Sequence, residues 1–233
     1  MATLYVIATP IGNLEDATLR SVRILGEVDA LACEDTRRTG ALLERFGIPR
    51  PGLVFSYHEY NEESSARRIV GLLESGRSVG LCTNAGYPGV SDPGYRAVAA
   101  AIDGGFRVEI LPGAGAVETA LAASGLSATS FTFKGFPPKK PGRRRAHLDA
   151  ERDSPHTLVF FESPNRLAGF LGLALEVLGD RKAAVCVELT KKFERVTRGH
   201  LSDLVAVFGA GKTKGEVTVV IAGNNRKFLR TPS

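Results

Sequence analysis

Five side chains near the ends of predicted strands can accept a proton at neutral pH: Glu34, Asp35, His58, Glu59 and Glu188. The first two leave a buried-strand pattern, Ala30 to Cys33, inside the cluster Glu34-Asp35-Thr36-Arg37-Arg38. As a helix N-terminus, the cluster's acids favour the macrodipole and Thr36 supplies a cap. As the rim of a pocket, it sets two carboxylates beside Arg37, a cation that the same macrodipole disfavours. His58-Glu59 and Asn61-Glu62 are open in the same way, a solvated loop or a substrate rim. Glu188 and Lys191 follow another buried strand. They form an exposed charge pair or, facing a pocket, Lys191 orients a phosphate or lowers the pKa of a hydroxyl.

Around these groups lie loops rich in glycine and proline. The densest runs from Leu81 to Gly94, between a short apolar run and a helical pattern starting at Tyr95. Its glycines Gly86, Gly89 and Gly94 let a ligand approach the main chain, and Pro93 suits the first turn of a helix behind Asp92. Thr9 to Asn13, Glu34 to Arg38 and Pro112 to Ala116 follow other strands. Four such strand ends at one edge of a sheet make a pocket. No Gly-x-Gly-x-x-Gly follows a strand, and no phosphate-binding Gly-Lys-Ser/Thr loop or Gly-x-Ser-x-Gly elbow occurs, which disfavours those nucleotide and hydrolase sites. A nucleoside-like ligand held by main-chain amides and carbonyls remains. Four isolated histidines and three distant cysteines predict no metal site; Cys33, Cys82 and Cys186 are expected as core residues in a reducing compartment.

Strand and helix patterns alternate along the chain, so the expected class is α/β with a mostly parallel sheet in the first domain and a mixed sheet in the second. Leu19, Val22 and Leu25 are the expected inner face of the first helix. The pattern changes near Ser124, which divides the 233 residues into domains 1–123 and 124–233. Gly135-Phe136-Pro137-Pro138 is the expected hinge, continued by a basic linker to 145. Residues 224–233 are expected to form a frayed polar tail. Charge follows the division: residues 1–132 carry a net of −4, with no lysine, and residues 133–233 carry +9. Lys134, Lys139, Lys140, Arg143, Arg144 and Arg145 fall in 12 residues without an acid. Such a run is a solubilising linker or a set of phosphate contacts on nucleic acid, with Phe136 as the neighbouring ring able to stack on a base. The first residues lack a basic leader, and the longest apolar stretch, Ala97 to Ile102, is too short for a bilayer; a cytoplasmic protein without membrane contact is expected.

Assembled in order, these segments resemble the tetrapyrrole methylase family of S-adenosylmethionine-dependent methyltransferases, in its branch that modifies ribosomal RNA. The resemblance covers nearly the whole chain. It rests on Ala8-Thr9-Pro10-Ile11-Gly12-Asn13-Leu14, Glu34-Asp35-Thr36-Arg37, His58-Glu59-Tyr60-Asn61-Glu62 and Ser91-Asp92-Pro93-Gly94. Gly135-Phe136-Pro137-Pro138-Lys139, Phe161-Glu162-Ser163-Pro164-Asn165-Arg166 and Glu188-Leu189-Thr190-Lys191 continue it. It implies two α/β domains with S-adenosylmethionine between them, and a homodimer. The implied reaction is methyl transfer to the ribose 2′-hydroxyl of a cytidine in small-subunit ribosomal RNA, free or within the 30S subunit.

On that resemblance, the donor contacts are Pro10, Asn84, Ala85, Gly86, Ser91, Ala114 and Ala116, with Phe161 to Ser163 and Val217 to Ala222 closing over them. Glu34, Asp35 and Lys191 are the catalytic expectations; Arg37, His58, Lys139, Lys140, Arg143, Arg144 and Arg145 are expected to hold RNA. Two segments depart from the family's pattern. Thr83-Asn84-Ala85-Gly86-Tyr87-Pro88 stands where the family shows Ser-Asp-Ala-Gly-Thr-Pro, so Asn84 hydrogen-bonds without charge and the Tyr87 ring is expected to narrow the donor site. Pro112-Gly113-Ala114-Gly115-Ala116 loses a proline and a hydroxyl. A small-molecule methylase on the tetrapyrrole pattern, or a non-catalytic RNA-binding or ribosome-assembly protein, are the alternatives.

Overall fold

Short apolar runs bounded by glycine and proline form strands here because their side chains are buried on both faces, as a covered parallel sheet demands. Ala30–Cys33 (β2) and Val79–Cys82 (β4) are buried at every residue, and Thr3–Ile7 (β1) at four of five. With Leu53–Ser56 (β3) and Arg107–Leu111 (β5) they make a parallel sheet in the order β3-β2-β4-β1-β5. The computed structural model describes residues 2–230. It divides into two compact units, Met1–Gly115 and Ala116–Ser233.

In the first unit, helices Leu19–Glu27 (α1) and Thr36–Arg45 (α2) cover one face of the sheet. Ile24, Leu25 and Leu43 pack there on Ile7, Leu31, Cys33 and Cys82. Helices Glu62–Glu74 (α3) and Tyr95–Asp103 (α4) cover the other, with Ile69, Leu73, Ala97 and Ala101 on Leu4, Ala32, Val79 and Leu81. Leu19, expected inside, is 91% exposed, because α1 starts behind its Thr18 cap with Ile24 and Leu25 as the buried pair. The chain thus leaves β4 toward one face while its neighbours β1 and β2 send their helices to the other. A sheet opens a crevice for ligands at such a reversal, outside the carboxyl ends of its strands.

The second unit begins with helix Ala116–Ser124 (α5), followed by Phe131–Phe133 (β6), Pro141–Asp149 (α6), Thr157–Glu162 (β7) and Leu167–Leu178 (α7). Lys182–Val187 (β8), Arg195–His200 (β9), Leu201–Gly209 (α8) and Val217–Ile221 (β10) complete it. Its sheet runs β6-β7-β10-β8-β9; β6 is parallel to β7 and the other pairs are antiparallel. Leu158, Phe160, Val185 and Val219 face α7 and α8 in one apolar cluster.

Helix α5 packs on β8, β9 and β10 of this sheet, so the division falls ahead of it, at Gly115, rather than at residue 123. The expected hinge is also displaced: residues 135–140 lie inside the second unit, and the basic linker begins α6, with Pro141 in its first turn. The expected frayed tail is instead tied down through Arg230. Arg226–Phe228 form a 3₁₀ turn, Leu229 bridges to Arg181, and Arg230 pairs with Asp180 and Asp203. Residues 231–233 lie outside the described residues. All three cysteines are buried and free, and burial pushes the Cys186 thiol up to about 11. No described helix is long and apolar enough to cross a membrane.

Candidate functional site

The five strands of the first sheet end level with one another. Ser56, Cys33, Cys82, Ile7 and Leu111 follow in register across it, so all five following loops start from one line. Pro10, Glu34, Asp35, Arg37, His58, Asn84, Ala85, Gly86, Ser91 and Ala114 lie on these loops or just beyond them. Ala116 opens α5, the first residue of the second unit.

Three of the loops are bonded together, two by main chain and the third through a tyrosine hydroxyl. Thr9 and Gly86 exchange two hydrogen bonds, at 3.0 and 2.9 Å, and the Thr9 hydroxyl donates to the Thr83 carbonyl at 3.1 Å. Gly86 holds φ 72°, a left-handed angle that side chains resist, and an added Cβ would stand 3.9 Å from the Ala114 carbonyl. The Tyr87 hydroxyl accepts from Gly113 N–H at 3.0 Å and donates to the Gly113 carbonyl at 3.4 Å, tying the β4 loop to the β5 loop. Ser91, exposed, also takes a left-handed angle, φ 62°, strain that persists only where surroundings enforce it.

At the β2 end, the two acids have separate tasks. Glu34 accepts the Asn84 N–H at 3.0 Å, which places it against the β4 loop. Asp35 accepts the N–H groups of Arg37 and Arg38, at 2.8 and 3.4 Å, and is the cap of α2, the place expected for Thr36. Those backbone bonds hold its carboxyl below the usual carboxylate range. Arg37 is exposed and forms no ion pair with either acid. The Asn84 Oδ1 is buried without a hydrogen-bond partner among the described residues.

His58 belongs to a turn that Asn61 builds: Asn61 Oδ1 accepts the His58 N–H at 2.8 Å, and Asn61 Nδ2 donates to the Ser56 carbonyl at 3.1 Å. The His58 Nδ1 is buried without a partner, while Glu59 is exposed. Glu62, next in the motif, is a brace that the sequence left as part of a loop or rim. Its Oε1 accepts from the Tyr57 hydroxyl at 3.1 Å and from Gly94 N–H at 3.0 Å, and the Tyr57 oxygen accepts from Ala97 N–H at 3.1 Å. A Cβ on Gly94 would fall 2.5 Å from the Gly89 nitrogen, so the β4 loop closes only with glycine there. Tyr57 stands in the polar run that follows β3, and the acid five residues on was the available signal.

In the second unit, Lys191 bonds Glu188 at 2.9 Å and Glu216 at 3.0 Å. Burial alone would lower the ammonium, but both carboxylates outweigh it and its pKa rises; Glu188 is lowered by the Glu216 N–H and by Lys191. Glu188 and Thr190 adopt left-handed angles, φ 54° and 65°, so this loop is fixed in an unusual shape. Two of the three ammonium hydrogens of Lys191 are thus engaged, and the expected service to a substrate oxygen would fall to the third. Val217–Ile221 is buried throughout, so its side chains serve the core. The remaining basic residues stand at the start of α6. Arg144 donates to the carbonyls of Pro138 and Lys139, both at 3.0 Å, Arg145 pairs with Glu176, and Lys139, Lys140 and Arg143 are exposed. Glu162 and Arg166, quoted only as part of a motif, form a 2.6 Å ion pair around a fully buried carboxylate. An acid closing a run of five apolar or small residues, with arginine four positions later, was its sequence signal.

Residues 3–205 match the family model described as Tetrapyrrole (Corrin/Porphyrin) Methylases. A ribosomal RNA small subunit methyltransferase I of Mesorhizobium japonicum is 49% identical over 220 residues, 94% of this chain and 74% of that protein. The protein of the same description from Halalkalibacterium halodurans is 45% identical over 225 residues, 97% of this chain and 77% of that one. Among solved structures, uroporphyrin-III-C-methyltransferase from Thermus thermophilus is similar with a TM-score of 0.66 over 94% of both chains; at 22% identity this likeness concerns the fold. With level strand ends, their loops bonded into one edge and relatives near half identical along its length, this chain belongs to the tetrapyrrole methylase family and is a methyltransferase.

Proposed function

We propose that the protein transfers a methyl group from S-adenosylmethionine to the ribose 2′-hydroxyl of a cytidine in small-subunit ribosomal RNA. The observation that carries the donor half is the buried Asn84 Oδ1, an acceptor without a partner among the described residues, on a residue whose N–H is held by Glu34. A buried acceptor left open costs stability unless a ligand supplies a donor. The nucleoside part of the cofactor has N–H and O–H groups to offer it, so the residues present fit the group. Main chain of Pro10, Ala85, Gly86, Ser91 and Ala114 holds the remainder. When bound, S-adenosylmethionine supplies a methyl group already activated by its sulfonium. What is left to the chain is alignment and removal of the hydroxyl proton.

Asp35 is the base in this reading. Its carboxylate is ionised at neutral pH, and a positioned base is worth about 10²–10⁴-fold. Glu34 orients Asn84, and Arg37 and His58 meet the RNA beside it. The RNA half is supported by the relatives described as ribosomal RNA methyltransferases and by the exposed cations Lys139, Lys140 and Arg143. Radiolabelled donor, purified 30S subunits or their RNA, and mapping of 2′-O-methyl positions test the whole proposal. Label recovered on a base, or none in RNA at all, rejects the acceptor. No heat on titrating millimolar S-adenosylmethionine into the protein rejects catalysis and leaves a binding protein on the same fold.

A further inference from the structure

The six cations between Lys134 and Arg145 divide into two groups. Lys134 pairs with Glu151 at 2.7 Å, Arg145 with Glu176, and Arg144 is engaged with two carbonyls of its own loop. Lys139, Lys140 and Arg143 are exposed and carry no ion pair among the described residues.

The loop that bears the two lysines is held unusually firmly. Arg166, fixed by the buried Glu162, donates to the Pro137 carbonyl at 3.4 Å, and Arg144 takes the next two carbonyls. Main-chain bonds from Lys134 to Val159 and from Phe161 to Gly135, at 2.9 and 3.0 Å, anchor its start on β7. From this frame Phe136 projects, 56% exposed. Its ring stands edge-on to Phe161 at 5.6 Å, and Phe161 meets Phe133 at 4.8 Å. Phe131, 42% exposed, lies two residues before Phe133 on edge strand β6, on the same side by alternation. A flexible loop would fold such a ring against the protein; this one is braced with the ring outward. The start of α6 adds an independent sign. Its first turn presents the exposed Arg143 with no acid beside it, while Arg144 and Arg145 are taken up by carbonyls and by Glu176.

We propose that Phe136 is a stacking platform for an unpaired nucleobase, with Lys139, Lys140 and Arg143 on the neighbouring phosphates, so that the protein takes its RNA as a single strand. The inference rests on the RNA substrate proposed above and names the form in which it is bound. Stacking on a phenyl face accepts any base, whereas bases inside a duplex offer no free face to it. Arg144 and Arg145 become the scaffold rather than phosphate contacts.

Fluorescence anisotropy with the full chain tests this, using a labelled ten-nucleotide RNA alone and annealed to its complement. Phe136→Ala is expected to weaken single-strand binding by roughly tenfold or more and to leave duplex binding unchanged. Phe136→Trp should keep the affinity and Phe136→Leu, which keeps bulk without a π-face, should lose it. Melting temperatures of the Trp and Leu variants separate lost stacking from lost folding. Replacing Lys139, Lys140 and Arg143 together by Ala should weaken both RNA forms and flatten the salt dependence by roughly 0.7–0.9 log units per phosphate contact. Single-strand affinity equal to the parent in Phe136→Ala or Phe136→Leu overturns the platform and leaves RNA binding standing. A parent protein that binds neither RNA form overturns both.

Discussion

In the first unit the loops at the strand ends are fixed mainly through the backbone: Thr9 to Gly86, and Gly113 bracketed by one tyrosine hydroxyl. In the second unit the loop from Gly135 to Lys140 is fixed by guanidinium groups on successive carbonyls, one of them anchored by a buried carboxylate. The first arrangement brings peptide groups close together and leaves little side chain in the way. It suits a ligand recognised by its hydrogen-bonding edges. The second keeps cations and a ring on the outside of a stiff turn, which suits a long polyanion with aromatic bases. It also makes part of the turn depend on one buried ion pair, whereas the backbone-bonded loops of the first unit rest on several modest bonds.

That contrast predicts unequal responses to single changes. Arg166→Ala leaves the Glu162 carboxylate buried and uncompensated, and should cost about 3–5 kcal/mol in denaturant unfolding. A variant as stable as the parent would mean that the pair holds nothing together. In the first unit, Gly94→Ala forces the β4 loop apart at Gly89 and should lower S-adenosylmethionine affinity tenfold or more by calorimetry, with a cooperative melt retained. Undiminished affinity would separate that loop from donor binding. Asp35→Asn keeps an equally good helix cap but removes the charge, so a tenfold or greater fall in methylation rate with little change in melting is expected. Full activity would eliminate Asp35 as the base. Tyr87→Phe removes two neutral hydrogen bonds of about 1 kcal/mol each and, with neighbouring bonds intact, should weaken donor affinity about fivefold. An effect as large as that of Gly94→Ala would show that the loops are less evenly supported than their bonds suggest.

The smallest effect expected is one of pH. Glu188 has a lowered pKa in the folded protein, so its stabilising contribution is present above its unfolded value and is lost as pH falls through the lowered one. Lys191 is raised, so its contribution is present below its unfolded value and is lost as pH rises through the raised one. Thermal melts should therefore differ little between Glu188→Gln and parent at acid pH and more at neutral pH. The reverse order would deny the pair its role.

The strand ends of the first unit were legible in sequence because glycine, proline and isolated acids interrupt runs that are otherwise apolar. Their convergence followed from strand–helix alternation. Two things were not legible. Alternation does not say which sheet a helix covers, so α5 was placed with the strand before it, although Val117, Ala120 and Leu121 are buried in the second unit. Composition likewise made Pro141 to Arg145 a linker, because three arginines conceal a helix anchored by Leu148 and by arginine bonds to carbonyls. At the site, Glu34 lay beside the β4 loop as expected, whereas the division of work between Glu34 and Asp35 depended on geometry that spacing does not encode.

The brace from Tyr57 and Glu62 has a consequence for amide hydrogen exchange. Amides at the start of a helix lack intrahelical acceptors and ordinarily exchange with solvent deuterium early. At α4, the Gly94 and Ala97 amides are instead held by a carboxylate and a phenol from the β3 side of the sheet, and both residues are buried. Their deuterium uptake should be slow and should report release of Glu62 and Tyr57 rather than fraying of α4. Two amides thus serve as a native clock for the opening of the loop that ends at Gly94, readable without any added label.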